Sequence, residues 1–207
     1  MGPRIEHMGP EHLVKTIFNP KHPKDWTFKP NSSWEFNCRL RTLHCQHSFP
    51  ILDRSNIWAL RMLITKHIPE PKAIEVMSGN GWLSYWLSKN GVEIIATTDN
   101  HSWNKQFDFK STPVQIEKLD CVEAVNKYSE ANLVLMSWPY MDPYAHKVIN
   151  EMRKDQWLLY IGEGPGGCTA DDAFFAYIQK HCQCFESEYG FKQFYGIHDY
   201  PSLIKKK

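Results

Sequence analysis

From about residue 55 onward, short apolar runs of strand length alternate with stretches whose apolar positions recur at helical spacing. Ile57, Trp58, Leu60, Leu63, Ile64 and His67 share one helical period, which Pro69 and Pro71 end. Residues 73–77 form a short buried strand, 78–81 a tight turn, and 82–89 a helix closed by Asn90 and Gly91. A second strand follows at 92–98 and a weaker third at 114–119. A helix at 121–127, a strand at 132–136, a helix at 144–152 and a strand at 157–161 continue the alternation. The glycine-rich loop 162–167 leads into a helix ending near residue 181, for which Thr169 and Asp172 have capping-box spacing. Segments 184–189 and 202–205 supply closing strands. Strands alternating with helices predict an α/β domain with a mostly parallel sheet and helices on both faces.

Residues 1–54 do not share this pattern. Pro3, Pro10, Pro20, Pro23, Pro30 and Pro50 interrupt them, and no apolar period is sustained. They are expected to form a mostly irregular arm with one short helix near 11–18. Trp26, Phe28, Trp34 and Phe36 would pack it onto the main domain, as a lid or as cover for a sheet edge. The domain proper is then 55–207.

Composition narrows the functions available. A net charge of +1 argues against nucleic acid as a partner, because phosphate backbones demand a strongly basic face. No apolar stretch is long enough to cross a membrane. The first residues lack the basic-then-apolar pattern of a secretory signal, so the six cysteines read as reduced thiols and the expected location is cytoplasmic.

The most informative spacing is Glu75, Ser78, Gly79 and Gly81 at the end of the first strand, with Asp99 at the end of the second. Glycines there allow a ligand close to the backbone, and a carboxylate one strand over is placed for a ribose diol. This order resembles the first motif and the ribose-binding acid of class I S-adenosylmethionine-dependent methyltransferases. Asp120 and Cys121, after the third strand, match the family's adenine contacts. Ser137, Trp138, Pro139 and Tyr140 resemble its fourth-strand loop, with Trp138 standing where enzymes that methylate amino groups usually have proline. The resemblance implies a three-layer, seven-stranded Rossmann-like fold and S-adenosylmethionine as cofactor. It further implies methyl transfer to a small-molecule or protein acceptor. The cofactor pocket would comprise Glu75, Ser78, Gly79, Gly81, Asp99, Asp120, Cys121 and Ser137.

On the acceptor side, Trp138 and Tyr140 offer aromatic faces to a sulfonium. Glu163 at the end of the fifth strand, and His198 beside Asp199, are candidates to hold or deprotonate an acceptor. Asp142 reads first as a helix cap. Three other chemistries fit less well. The loop 162–169 nearly spells a phosphate loop, but Cys168 replaces the lysine that grips the phosphates. A dinucleotide fingerprint would need its third glycine at Ser84. Cys38, His44, Cys45 and His47, like Cys182 and Cys184, lack the paired spacing of a structural zinc site, so no metal is assigned. The non-enzymatic alternative is a methyltransferase-like module that works through a protein partner.

Overall fold

The computed structural model describes residues 9–19, 33–99 and 112–207. Trp26, Phe28 and positions 100–103 of the loop after the second strand lie outside them. Strands β1 (Lys72–Val76), β2 (Glu93–Thr98), β3 (Ile116–Lys118), β4 (Leu133–Ser137), β5 (Trp157–Gly162), β6 (Cys182–Glu186) and β7 (Tyr200–Lys206) form one sheet in the order β3-β2-β1-β4-β5-β7-β6. The sheet is mixed. β1 to β5 pair in parallel, while β7 runs antiparallel to both β5 and β6.

Side chains alternate across a strand, so one register fills two cores. Ala73, Leu133, Leu135, Leu159, Ile161 and Leu203 point to one face. They pack there against α1 (Pro10–Ile17), α2 (Trp34–His44), α3 (Arg54–His67) and α4 (Trp82–Lys89). Ile74, Val76, Val134, Met136, Leu158, Tyr160 and Ile204 point to the other face. Their partners are α5 (Cys121–Lys127), α6 (Tyr144–Glu151) and α7 (Asp172–His181). Covered on both sides, β1, β4 and β5 are buried almost end to end, which is why their sequences read as continuous apolar runs.

The arm differs from expectation. Besides α1, it forms the eleven-residue helix α2, whose start is capped by Ser33 Oγ accepting from the Phe36 N–H at 3.3 Å. Leu13, Val14, Ile17, Phe18 and Leu40 are buried in the same core as α3 and the sheet. The arm's end is then fixed by a polar knot. Asp53 Oδ1 caps α3 through the Asn56 N–H at 2.8 Å, and Asp53 Oδ2 accepts from Lys192 Nζ at 2.5 Å. Asn56 Nδ2 donates to the carbonyls of Ile51 and Lys192. Segment 45–52 is thereby held against the sheet's carboxyl edge.

Among the described residues, no helix is long and apolar enough to cross a membrane.

Candidate functional site

The strand order reverses between β1 and β4: β2 lies on one side of β1, and β4 returns to the other. The loops leaving these two strands diverge, and a crevice opens at their carboxyl ends. It holds a cavity of about 580 Å³, within the range of small-ligand pockets. The loops after β1, β2 and β4 form its floor and sides, and arm residues Cys45, His47, Ser48, Phe49 and Pro50 form the facing wall.

Glu75 lies at the bottom. Its side chain alternates to the α4 face and is 2% exposed. Its carboxylate accepts the Ser84 N–H at 3.1 Å and the Ser84 hydroxyl. Burial outweighs these bonds and pushes the carboxyl up to about 7. Among the described residues it has no cationic neighbour.

The turn above it is built on left-handed backbone: Met77 at φ 55°, Gly79 at 55° and Gly81 at 73°. The two glycines serve different ends. A Cβ on Gly79 would meet nothing within 4 Å, so that surface is left open to the cleft. A Cβ on Gly81 would lie 2.7 Å from Val114 Cγ2, so this glycine lets the start of α4 pass close to the segment leading into β3. Gly81 therefore shapes the turn without lining the cavity. Three buried polar atoms at this turn and the first turn of α4 find no hydrogen-bond partner among the described residues: Ser78 Oγ, Asn80 Oδ1 and Trp82 Nε1. All three residues line the cavity. Buried polar groups are rarely left unsatisfied, and polar groups of a ligand in the cleft could pair with these.

Asp99, at the end of β2, also lines the cavity. Asp120 does not. Its carboxylate caps α5, accepting from Val122 N–H at 2.8 Å and Glu123 N–H at 3.3 Å, with Glu123 returning the bond in a capping box. Its neighbours Leu119 and Cys121 face the cleft instead, and burial raises the Cys121 thiol to about 12, so it stays protonated.

Solved structures with a similar chain path include S-adenosylmethionine-dependent methyltransferases. One from Archaeoglobus fulgidus is 13% identical, with 74% of this chain and 96% of that one covered and a TM-score of 0.45. A TehB-like S-adenosylmethionine-dependent methyltransferase from Corynebacterium glutamicum is 17% identical over 72% and 88%, with a TM-score of 0.48. The sugar N-methyltransferase KedS8 from Streptoalloteichus is 9% identical over 89% and 96%, with a TM-score of 0.49. No protein-family model and no curated protein matches the sequence.

Ser137, Trp138 and Tyr140 line the β4 side of the cleft. Trp138 is held at φ 51°, a conformation that costs a bulky residue about 1–3 kcal/mol and persists only where neighbours enforce it. Its N–H donates to the Ile161 carbonyl at 2.7 Å, and its indole Nε1 donates to Asp199 Oδ2 at 2.9 Å. The Phe49 ring stacks on it at 5.2 Å and 16°. Burial, then the charge of Asp142, raises Tyr140 well above the usual phenol range, so it remains a phenol at neutral pH. Asp142 itself accepts the Tyr144 N–H at 3.0 Å at the start of α6.

Glu163 and His198 lie outside the cavity lining. The glycine-rich loop folds around the Glu163 carboxylate, which accepts the N–H groups of Cys168 at 2.8 Å and His198 at 3.3 Å. These bonds hold Glu163 below the usual carboxylate range. A near-phosphate loop thus encloses its own acid. The nearby Thr169 hydroxyl is not a helix cap: it accepts from Glu163 N–H at 2.8 Å, and Asp171 caps α7 through Phe174 N–H at 3.0 Å. His198 is exposed, and its neighbour Asp199 turns inward to Trp138.

Sequence reasoning gave no site role to Asn80, Trp82 or Phe49, weighed His47 only as a metal ligand, and named Asp199 only as the partner of His198. Asn80 sits inside the motif it singled out and Trp82 directly after it. Phe49 comes from a distant segment, and nothing in its local sequence marks it.

Proposed function

We propose that this chain binds S-adenosylmethionine in the cleft and transfers its methyl group to a small-molecule or protein acceptor. The observation that carries the reading is Glu75: a buried carboxylate with no countercharge among the described residues, under a glycine turn with three unpartnered polar atoms, at the sheet's switch point. A ligand that is cationic at one end and rich in hydrogen-bonding groups fits all of these. S-adenosylmethionine has that chemistry: a sulfonium and an ammonium, a ribose diol and an adenine. When bound, it supplies a methyl carbon already activated toward a nucleophile.

The residues divide the remaining work. Glu75 would balance the cationic end, and the Ser78–Asn80 turn would supply donors and acceptors to the polar groups around it. Asp99 would accept both hydroxyls of the ribose. Leu119 and Cys121 would flank the adenine, with Asp120 fixing their backbone through the α5 cap. Trp138 and Tyr140 would offer aromatic faces where the sulfonium meets the acceptor. Phe49 and its neighbours in the arm exclude water there, and alignment for in-line attack is most of what such a transfer requires.

Asp99→Ala tests the cofactor assignment. Removing two charge-assisted bonds is expected to weaken S-adenosylhomocysteine binding by about 1.5–3 kcal/mol, roughly 10- to 150-fold, in calorimetric titration. An unchanged affinity refutes the ribose role.

A further inference from the structure

We infer that His47 takes the proton from the methyl acceptor, and that this acceptor is a protic nucleophile, an amine or hydroxyl, carried on an apolar body without negative charge. This rests on the methyl-transfer reading above.

An amine that arrives as an ammonium must lose a proton before its lone pair can attack, and a hydroxyl loses one as it attacks; the cleft has few groups able to receive it. Tyr140 is already a phenol. Glu75 is bonded to Ser84 at the floor, and Asp142 is bonded to the Tyr144 N–H. Asp99 stands at the ribose end. The remaining group is His47, the one imidazole among the described lining residues. Its ring stacks on Phe18 at 4.3 Å and 23° and meets the edge of Trp82 at 6.3 Å and 87°, so its plane is fixed. Among the described residues none hydrogen-bonds its ring nitrogens. Burial holds it below the usual imidazole range, which keeps it neutral and able to accept a proton at pH 7.

The charge of the wall sets the acceptor class. The described lining contains carboxylates and no lysine or arginine. Arg41 on α2 bears on the lining residue Cys45 and on Asp199 but is not itself part of the lining. Phe49, Trp138 and Tyr140 add aromatic faces to the same cavity lining. Among the described lining residues a carboxylate or phosphate acceptor finds no countercharge, whereas an amine or alcohol needs none. In the step itself, the acceptor's lone pair forms the new bond to the methyl carbon. The sulfur–methyl bond breaks with its pair remaining on sulfur, leaving S-adenosylhomocysteine. The acceptor's proton passes to His47 and then to solvent.

Phenylethylamine, 2-phenylethanol and phenylacetate share one body and differ only in the polar group, so they serve as probes. Each is titrated into the full chain saturated with S-adenosylhomocysteine, following the His47 Cε1 carbon by NMR, assigned with His47→Gln. The expected result is that the amine or the alcohol shifts the His47 signal and binds at least tenfold more tightly than phenylacetate. Whichever of the two binds is then offered with S-adenosylmethionine. His47→Gln should lower its methylation about 100-fold while changing S-adenosylhomocysteine affinity less than twofold. Preference for phenylacetate, no His47 shift with either protic probe, or His47→Gln turnover within threefold of the wild type overturns the inference alone. Failure of S-adenosylhomocysteine to bind overturns the methyl-transfer reading first and this inference with it.

Discussion

Replacing Glu75 with glutamine is expected to stabilise the free protein above neutral pH and to abolish useful binding of S-adenosylmethionine. In the folded chain burial raises the carboxyl from 4.5 to about 7, and the two bonds from Ser84 offset only part of that. Between these values the folded state holds a proton that the unfolded state has released. Stability therefore falls as pH rises from about 4.5 through 7, and above 7 the native state carries an uncompensated buried charge. Glutamine occupies the same volume and can still accept from Ser84, but it has no charge to bury. Its variant should be more stable than the wild type by roughly 2–3 kcal/mol at pH 8, with little difference at pH 4.5. Urea midpoints at the two pH values check this. The same charge is what a cationic ligand would neutralise, so the variant should lose about 3 kcal/mol of S-adenosylmethionine affinity, near 100-fold. A variant that is destabilised at pH 8, or that binds as the wild type does, removes Glu75 from the role given to it.

Gly81→Ala has the opposite character: its effect on the fold is large, and it replaces no residue of the cavity lining. The residue sits at φ 73°, where a Cβ costs about 1–2 kcal/mol. That Cβ would also lie 2.7 Å from Val114 Cγ2 and 3.3 Å from Ile116 Cδ1, so the approach to β3 has to move. Overpacking of this kind adds about 1–3 kcal/mol. A total near 3 kcal/mol should lower the melting temperature by roughly 6–12 °C for a domain of this size. The paired control is Gly79→Ala, whose Cβ meets nothing and whose positive φ alone is strained. It should cost markedly less stability while obstructing the cleft. Equal losses of stability for the two would show that Gly81's neighbours yield freely.

The difference between these glycines shows what the sequence could and could not convey. Both stand in one motif, and the strand and helix expected on either side of it are present because such elements are local. The division of labour between them depends on Val114, more than thirty residues away, which no spacing rule connects to Gly81. The α2 helix was legible in part: Phe36, Leu40, Leu43 and His44 follow a helical period behind Ser33. The density of proline and histidine around them hid it. Asp120 and Glu163 were placed near the site because each follows a strand of the binding edge. Their carboxylates are instead taken up by nearby backbone N–H groups, Asp120 at the α5 cap and Glu163 within its own loop. Asp199 was named only as the carboxylate that would orient His198. Its pairing with Trp138 depends on β7 inserting antiparallel between β5 and β6, a long-range arrangement that alternating strands and helices do not specify.

The most direct test of the account is calorimetric titration of the wild-type chain with S-adenosylmethionine and S-adenosylhomocysteine, with NAD and ATP as controls. The cleft's uncompensated carboxylate, open glycine turn and described lining without lysine or arginine predict micromolar binding of the first two and none of the anionic controls. Binding of NAD or ATP in preference, or of none of the four, would contradict it.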